Sequence, residues 1–394
     1  MHRELTKGVY FVGVDDHHTE LFENLWDLPF GVSYNSYLIV DEKVAVVEGV
    51  KAPWADEWLD NIREIVDPAK IDYIIVNHME PDHTGSLEDI AKVAPNAKMV
   101  YTQKASALQK SFFDVGLDEM IVEDLDELSL GNKTLQFIHA KFLHWPETMM
   151  TYIKEDEILF SCDAFGAFGA LNGLHFDDEI NMDIIEWEAK RYVGTIITAY
   201  FRFVQAGIKK IKDLGISIKM IAPSHGPIYR KDPLWIIEKY DEWSGSDLEK
   251  VCAIVYGTMY GFTFRVAMNL KKELEELGVK VKTFNISYTG LSKIITETVR
   301  AGVIVLGTPT YDAYPFPNIW HFVNEIIGKR YPKRPIGILG TFGWQGGGVE
   351  KIVQQLTDAR YEILDPIVHV KGRPTEDQRG QCISLAKAIA EHLK

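Results

Sequence analysis

The sequence is poor in cysteine. Cys162, Cys252 and Cys382 are the only three among 394 residues. They lie too far apart for a C-x-x-C pair, an iron–sulfur spacing or a disulfide framework. Long hydrophobic runs are also missing. Nothing approaches the roughly 18 consecutive apolar residues of a membrane span, so no membrane partner is expected. The opening stretch Met1-His2-Arg3-Glu4-Leu5-Thr6-Lys7 carries an acid and no apolar segment, so no signal peptide is expected and the location is expected to be cytoplasmic. Basic residues are outnumbered, 42 against 57 acids, for a net charge of −15. A chain this acidic repels nucleic acid and anionic lipid unless a basic patch intervenes, and no such patch is visible. What is present is ordinary for a globular protein: 46% hydrophobic and 25% charged residues. The length predicts two or three domains.

The first part of the chain reads as strands with interspersed helices. Ser36–Val40 and Val44–Val47 flank Asp41-Glu42-Lys43 as a hairpin. A helical pattern follows from Ala55 to Val66, and a buried strand from Ile71 to Val76. Further strands fit Lys98–Tyr101, Thr134–His139, Met150–Ile153, Ile158–Ser161 and Lys219–Ala222, and one long helical stretch covers Met182–Leu214. Sheets sandwiched by outer helices suit this pattern. The polar stretch Trp243-Ser244-Gly245-Ser246-Asp247 reads as a linker, dividing residues 1–246 from 247–394. Beyond it strands and helices alternate: strands at Val251–Tyr256, Lys280–Asn285, Val303–Gly307, Pro335–Thr341 and Glu362–Val370, each followed by a helical segment. That order predicts a doubly wound, five-stranded parallel sheet.

Two constellations carry chemistry. His78-Met79-Glu80-Pro81-Asp82-His83 directly follows the strand Ile71–Val76. Pro81 disfavours a helical Glu80 and predicts an extended loop, with His78 and Glu80 pointing one way and Asp82 and His83 another. His144, Asp163 and His225 lie in three further loops at strand ends. Each alone reads as a capping or packing residue. Four strand-end loops carrying His, Asp and Glu together predict a binuclear metal site.

The second constellation is a set of three loops at carboxyl strand ends in the last 145 or so residues. Gly257-Thr258-Met259-Tyr260-Gly261-Phe262-Thr263 runs from a strand into a helix, offering backbone N–H groups and the hydroxyls of Thr258 and Thr263 to an anion. This loop is neither G-x-x-x-x-G-K-[ST] nor G-x-G-x-x-G, which argues against nucleoside triphosphate and NAD. The others are Gly307-Thr308-Pro309-Thr310-Tyr311 and Gly340-Thr341-Phe342-Gly343-Trp344-Gln345-Gly346-Gly347-Gly348. Tyr260, Tyr311 and Trp344 are placed to border a flat ring, and Gly346, Gly347 and Gly348 to let backbone amides approach it.

These motifs resemble known families. H-x-E-x-D-H with later His, Asp and His is similar to the metallo-β-lactamase superfamily, except that Glu80 stands where a second histidine is usual. A carboxylate there makes the site harder and suits iron over zinc. With Leu143-His144-Trp145-Pro146-Glu147-Thr148-Met149, the pattern resembles the flavodiiron proteins. The loop Thr258–Thr263 resembles the flavodoxin phosphate loop T-x-T-G-x-T, with Tyr260 for the middle threonine. The resemblance implies a metallo-β-lactamase-like αββα sandwich followed by a flavodoxin-like domain. It implies iron on His78, Glu80 and His144, a second iron on Asp82, His83 and His225, and Asp163 bridging them. Tyr192 would line the pocket. FMN would occupy the three loops. The implied activity is reduction of O2 to water, NO to N2O or both, with electrons from an external donor such as rubredoxin or its reductase. The implied assembly is a head-to-tail dimer or a tetramer. No C-x-x-C pair remains for a fused rubredoxin. The competing readings are a binuclear metallo-hydrolase, opposed by Glu80 and the flavin loops, and an FMN-only electron carrier, opposed by the full ligand set.

Overall fold

A computed structural model of the chain describes residues 2–394. It divides after Ser244 into two compact units. Among the described residues, no helix is long and apolar enough to cross a membrane.

In the first unit, β-branched and aromatic residues alternate along short strands and build two sheets. One runs in the order Arg3–Thr6, Val9–Phe11, Tyr37–Val40, Val44–Val47, Ile71–Ile75, Lys98–Tyr101, Asp118–Ile121. The other runs Glu127–Ser129, Thr134–His139, Met149–Ile153, Ile158–Cys162, Met220–Pro223. The expected hairpin pairs Tyr37 with Val47. Side chains of both sheets, among them Tyr37, Val47, Ile75, Phe137, Met149 and Phe160, form one buried cluster. That shared core makes the pair a sandwich, and amphipathic helices such as Ala55–Arg63 lie on it with Trp58, Leu59 and Ile62 buried.

The second unit is a parallel sheet in the order Lys280–Asn285, Glu249–Tyr256, Ala301–Tyr311, Pro335–Phe342, then Glu362–Ile363 and Val368–Lys371 on the far edge. Counted in chain order this is 2-1-3-4-5, the flavodoxin-like arrangement, with its ligand crevice at the carboxyl ends where the order reverses.

Four expectations change in detail. The stretch Met182–Leu214 is not one helix. It is Met182–Tyr192, a π turn at Val193–Ile197, a 3-10 turn at Thr198–Tyr200, and Phe201–Leu214. The hydroxyl of Thr195 donates to Arg191 O and that of Thr198 to Gly194 O, so side chains compete for the helix carbonyls around Gly194. The fifth strand is split around Pro366, which has no N–H to donate to a ladder. Trp243 and Ser244 end the helix Pro233–Ser244, buried, rather than starting a linker. Glu80 is extended as Pro81 requires, but Pro81–Thr84 then forms a single helical turn.

Candidate functional site

Each of the four loops leaves a strand at its carboxyl end or joins two strands of the second sheet, and they converge on one place. His78 follows Ile71–Ile75, and Asp82 and His83 come from the helical turn after Glu80. His144 lies between Thr134–His139 and Met149–Ile153; Asp163 and His225 follow Ile158–Cys162 and Met220–Pro223. The side chains form two groups of potential metal ligands: His78, Glu80, His144 and Asp163, and Asp82, His83 and His225. Within each group the ligand atoms lie within 4.8 Å of one another.

Asp163 joins the groups. Its Oδ2 is 3.0 Å from His144 Nε2 and 3.5 Å from His78 Nε2. Its Oδ1 is 3.0 Å from His83 Nε2 and 3.4 Å from His225 Nε2. Glu80 Oε2 approaches His78 and His144 at 3.1 and 3.0 Å, and Asp82 Oδ2 approaches His225 at 3.2 Å. Asp82 Oδ1 and Oδ2, His83 Nε2, Asp163 Oδ1 and His225 Nε2 are buried without a hydrogen-bond partner. Buried polar atoms are nearly always paired. A cluster of orphaned nitrogen and oxygen donors aimed at shared points fits metal ions, which would complete all of them at once.

The electrostatics agree. Burial opposes charging of His78, yet its contacts with Glu147 and Glu80 prevail and raise it to about 9. Burial likewise opposes charge on His83, but Asp82 and Asp163 raise it to about 10. Asp163 is buried, which disfavours its charge, but His83 and His144 hold it well below the usual carboxylate range. In the metal-free state protons thus supply the positive charge that three close carboxylates demand.

The sequence did not assign the supports beneath these ligands. Glu147 is buried, and its Oε1 accepts from Met79 N–H at 3.1 Å and lies 2.7 Å from His78 Nδ1. His225 Nδ1 lies 2.7 Å from Ser33 O. A carbonyl can only accept, so that nitrogen carries the proton and Nε2 keeps its lone pair for a ligand. Glu48, at φ 61°, accepts from Asn77 N–H at 3.0 Å, and burial pushes it up to about 7. The signal for Glu147 lay inside the motif Leu143–Met149; Ser33 holds the His225 ring through its backbone carbonyl, which leaves no residue-type signal, while its hydroxyl accepts from Gly226 N–H at 2.9 Å.

A cavity of about 190 Å³ opens beside Glu80 and Asp82, bordered by Phe22, Tyr34 and Lys51. Phe22 sits edge-on to the His225 ring at 5.4 Å, and Tyr192 lies 5.9 Å from it. The Tyr192 hydroxyl is buried without a partner, and burial holds the phenol well above its ordinary value.

In the second unit a cavity of about 320 Å³ lies at the carboxyl edge of the sheet. Met259, Tyr260, Phe262, Pro309, Thr310, Tyr311, Phe342, Gly343 and Trp344 line it, joined by Asp312, Thr341 and Gly372. Thr258, Gly261, Thr263, Thr308, Gly346, Gly347 and Gly348 do not. Thr258 Oγ1 accepts from Gly261 N–H at 3.1 Å, shaping the loop, and Gly261 at φ 82° caps the helix Phe262–Glu276. Thr263 and Thr341 share a hydrogen bond of 2.8 Å, and Thr308 Oγ1 accepts from Phe316 N–H. A Cβ on Gly347 would lie 2.6 Å from Ala313 O, so that glycine allows the loop to close on the turn beside Tyr311. Thr310 Oγ1 is buried and unpartnered. A flat apolar cleft with an unsatisfied hydroxyl and a helix N-terminus behind its first loop fits a phosphorylated flavin.

Known proteins show the same combination. Residues 32–226 match the ODP family beta lactamase model and residues 254–392 match flavodoxin. A nitric oxide reductase of Moorella thermoacetica is 34% identical over 394 residues, covering 99% of this chain and 98% of that protein. The chain belongs to the flavodiiron proteins. Among solved flavodiiron structures, that from Giardia intestinalis superposes with a TM-score of 0.91 at 30% identity, over 100% of this chain and 98% of the other. The rubredoxin oxygen:oxidoreductase of Desulfovibrio gigas superposes with a TM-score of 0.94 at 28% identity, again over 100% and 98%. As a flavodiiron protein the chain is an oxidoreductase whose cofactors are FMN and two iron ions.

Proposed function

We propose that His78, Glu80 and His144 hold one iron, that Asp82, His83 and His225 hold the other, and that Asp163 bridges them. The division of the Asp163 oxygens between the two ligand groups carries this reading. We further propose that the cleft lined by Tyr260, Thr310 and Trp344 holds FMN, with Thr258, Gly261, Thr263, Thr308 and Gly346–Gly348 shaping its loops. When bound, FMN relays electrons and the irons change valence to reduce a small gas, O2 to water, NO to N2O or both.

The chain's own residues set the conditions. Glu147 and Ser33 O orient His78 and His225 so that each offers Nε2. Asp163 supplies negative charge between two dications and offsets their repulsion. Phe22 and Phe168 pack edge-on against Tyr192 and give the space beside His225 an apolar wall. Tyr192, held protonated, offers a neutral hydroxyl that can donate a hydrogen bond there. The reading includes an external donor such as rubredoxin or its reductase, and a head-to-tail dimer or tetramer that brings FMN to the irons of a partner copy; sedimentation checks the assembly. The deciding experiment is anaerobic turnover of the reduced holoprotein with O2 and NO side by side. Consumption of neither gas by a protein holding FMN and two irons per chain refutes the reading.

A further inference from the structure

His369 lies in the flavin unit and takes no part in the site as described so far. It sits on Val368–Lys371, directly beside Gly340 in the parallel register. Gly340 makes room for it: a Cβ there would lie 2.9 Å from His369 Cδ2. The imidazole packs on Phe342, ring centroids 4.6 Å apart, and Phe342 lines the flavin cleft. A Cβ on Gly346 would lie 3.4 Å from His369 Cε1, so the ring also lies beneath the loop that closes the cleft. Its Nε2 is buried without a partner. Its Nδ1 faces Glu350 Oε1 at 3.8 Å, and the other oxygen of Glu350 accepts from Gly347 N–H at 2.9 Å. The ring is therefore wedged behind one wall of the cleft and linked through Glu350 to its loop.

We infer that His369 takes up a proton beyond those the flavin ring itself binds on reduction, so that the flavin midpoint potential of this domain rises more steeply as the pH falls than it would without the imidazole. The inference rests on the assignment of this cleft to FMN. Reduction by two electrons with one proton leaves the flavin ring anionic and so adds one negative charge inside the cleft. A proton arriving from solvent on the free ring nitrogen offsets that charge through Phe342 and the loop, and it leaves when the flavin is reoxidised. The two electrons come from the external carrier; one solvent proton forms an N–H bond on the reduced ring and a second forms the N–H bond on His369, and both leave on reoxidation. The coupling is reciprocal, since whatever favours the charged ring favours the reduced flavin by the same factor. Few other groups compete. The strand Pro335–Phe342 and the loop 343–347 carry no titratable side chain. The facing charges are Glu350 on the helix and Lys371, two residues along on the same face of the strand. Burial holds the imidazole below its ordinary value and Glu350 opposes that. The ring is thus neutral in the oxidised state at neutral pH and charges on the acid side.

The experiment is a potentiometric titration of the FMN-loaded full chain between about pH 5 and pH 8, for the wild type and His369→Gln. At an effective dielectric near 20, a unit charge acting across about 10 Å favours the oppositely charged form about tenfold. At about pH 5 the wild type is therefore expected to hold reduced over oxidised FMN about tenfold more strongly than the variant, and at about pH 8 the two are expected to coincide. The same pH dependence in both proteins overturns the inference. If His369→Gln fails to retain FMN, Glu350→Gln decides: it keeps the ring and the Gly347 contact but removes the carboxylate, so the inflection is expected to move to lower pH. An unmoved inflection overturns the inference. Failure of the wild type itself to take up FMN refutes the cleft assignment and this inference with it.

Discussion

Replacing Glu147 by Gln tests whether a residue that touches no metal sets the strength of one metal position and not the other. In the wild type Glu147 is 1% exposed and its Oε1 serves both the His78 ring and Met79 N–H. Gln keeps the size and the acceptor oxygen but removes the charge. A net hydrogen bond to a charged group contributes about 1.5–3 kcal/mol and a neutral one about 0.5–1.5, so the exchange costs about 1.5 kcal/mol of support for the His78 ring. At about 1.4 kcal/mol per factor of ten, that is about a tenfold loss of affinity, at the low end for residues that orient metal ligands. The loss falls on the group containing His78, because the second group rests on Ser33 O and not on Glu147. The assay is anaerobic titration of the metal-free protein with ferrous iron against a competing chelator, which resolves two binding steps. One step is expected to weaken about tenfold and the other to stay put. Equal weakening of both steps, or of neither, refutes the reasoning. Glu147→Leu leaves two buried donors unpaired and is expected to cost about 2–6 kcal/mol of stability, visible as a lower Tm even without metal.

Asp163→Ala is expected to lose both irons and Asp82→Ala mainly one, by iron analysis after anaerobic reconstitution. Cys162→Ala is expected to keep both, because its buried thiol is absent from either ligand group. Glu80→His is expected to shift preference from iron toward zinc and abolish gas reduction with FMN still bound, by metal analysis and absorbance. The metal-free protein is expected to lose stability in base: His78 and His83 are raised in the fold, so their contribution is full below about pH 6.5 and vanishes as pH rises through about 9 and 10. Thermal melts across that range check it, and the iron-loaded protein is expected to show no such loss. Residues 245–394, which carry their own core, are expected to fold alone and bind FMN; a folded but colourless fragment after FMN addition contradicts the cleft assignment.

The residues that the fold brings together were legible because their chemistry is rare and their spacing tight: no ordinary loop needs His78, Glu80, Asp82 and His83 within six residues. The parallel sheet was legible from strict alternation of strand and helix. The break after Tyr192 was not, because Thr195 and Thr198 are tolerated in helices and only their actual bonds to carbonyls reveal the π turn. Glu147 was quoted without a role, since a lone acid says nothing about which imidazole it faces. Glycines 346 to 348 show the opposite limit. Their sequence announces close backbone approach, but the approaching partner of Gly347 is the chain itself at Ala313.

The proposed metal ligands are dispersed from His78 to His225, whereas the cleft proposed for the flavin lies between Met259 and Gly372. That spread orders assembly during synthesis, when domains fold from the N-terminus onward. A nascent chain acquires His78, Glu80, His144 and Asp163 before His225 exists, so the first iron position is complete in side chains while the second still lacks one. The second sheet, however, closes only with Met220–Pro223, immediately ahead of His225. The pocket is therefore finished in nearly the same step that delivers the last ligand, and a ribosome stalled earlier holds no preformed cage for stray metal. The first domain therefore has every ligand side chain it needs for iron without any residue of the flavin cleft.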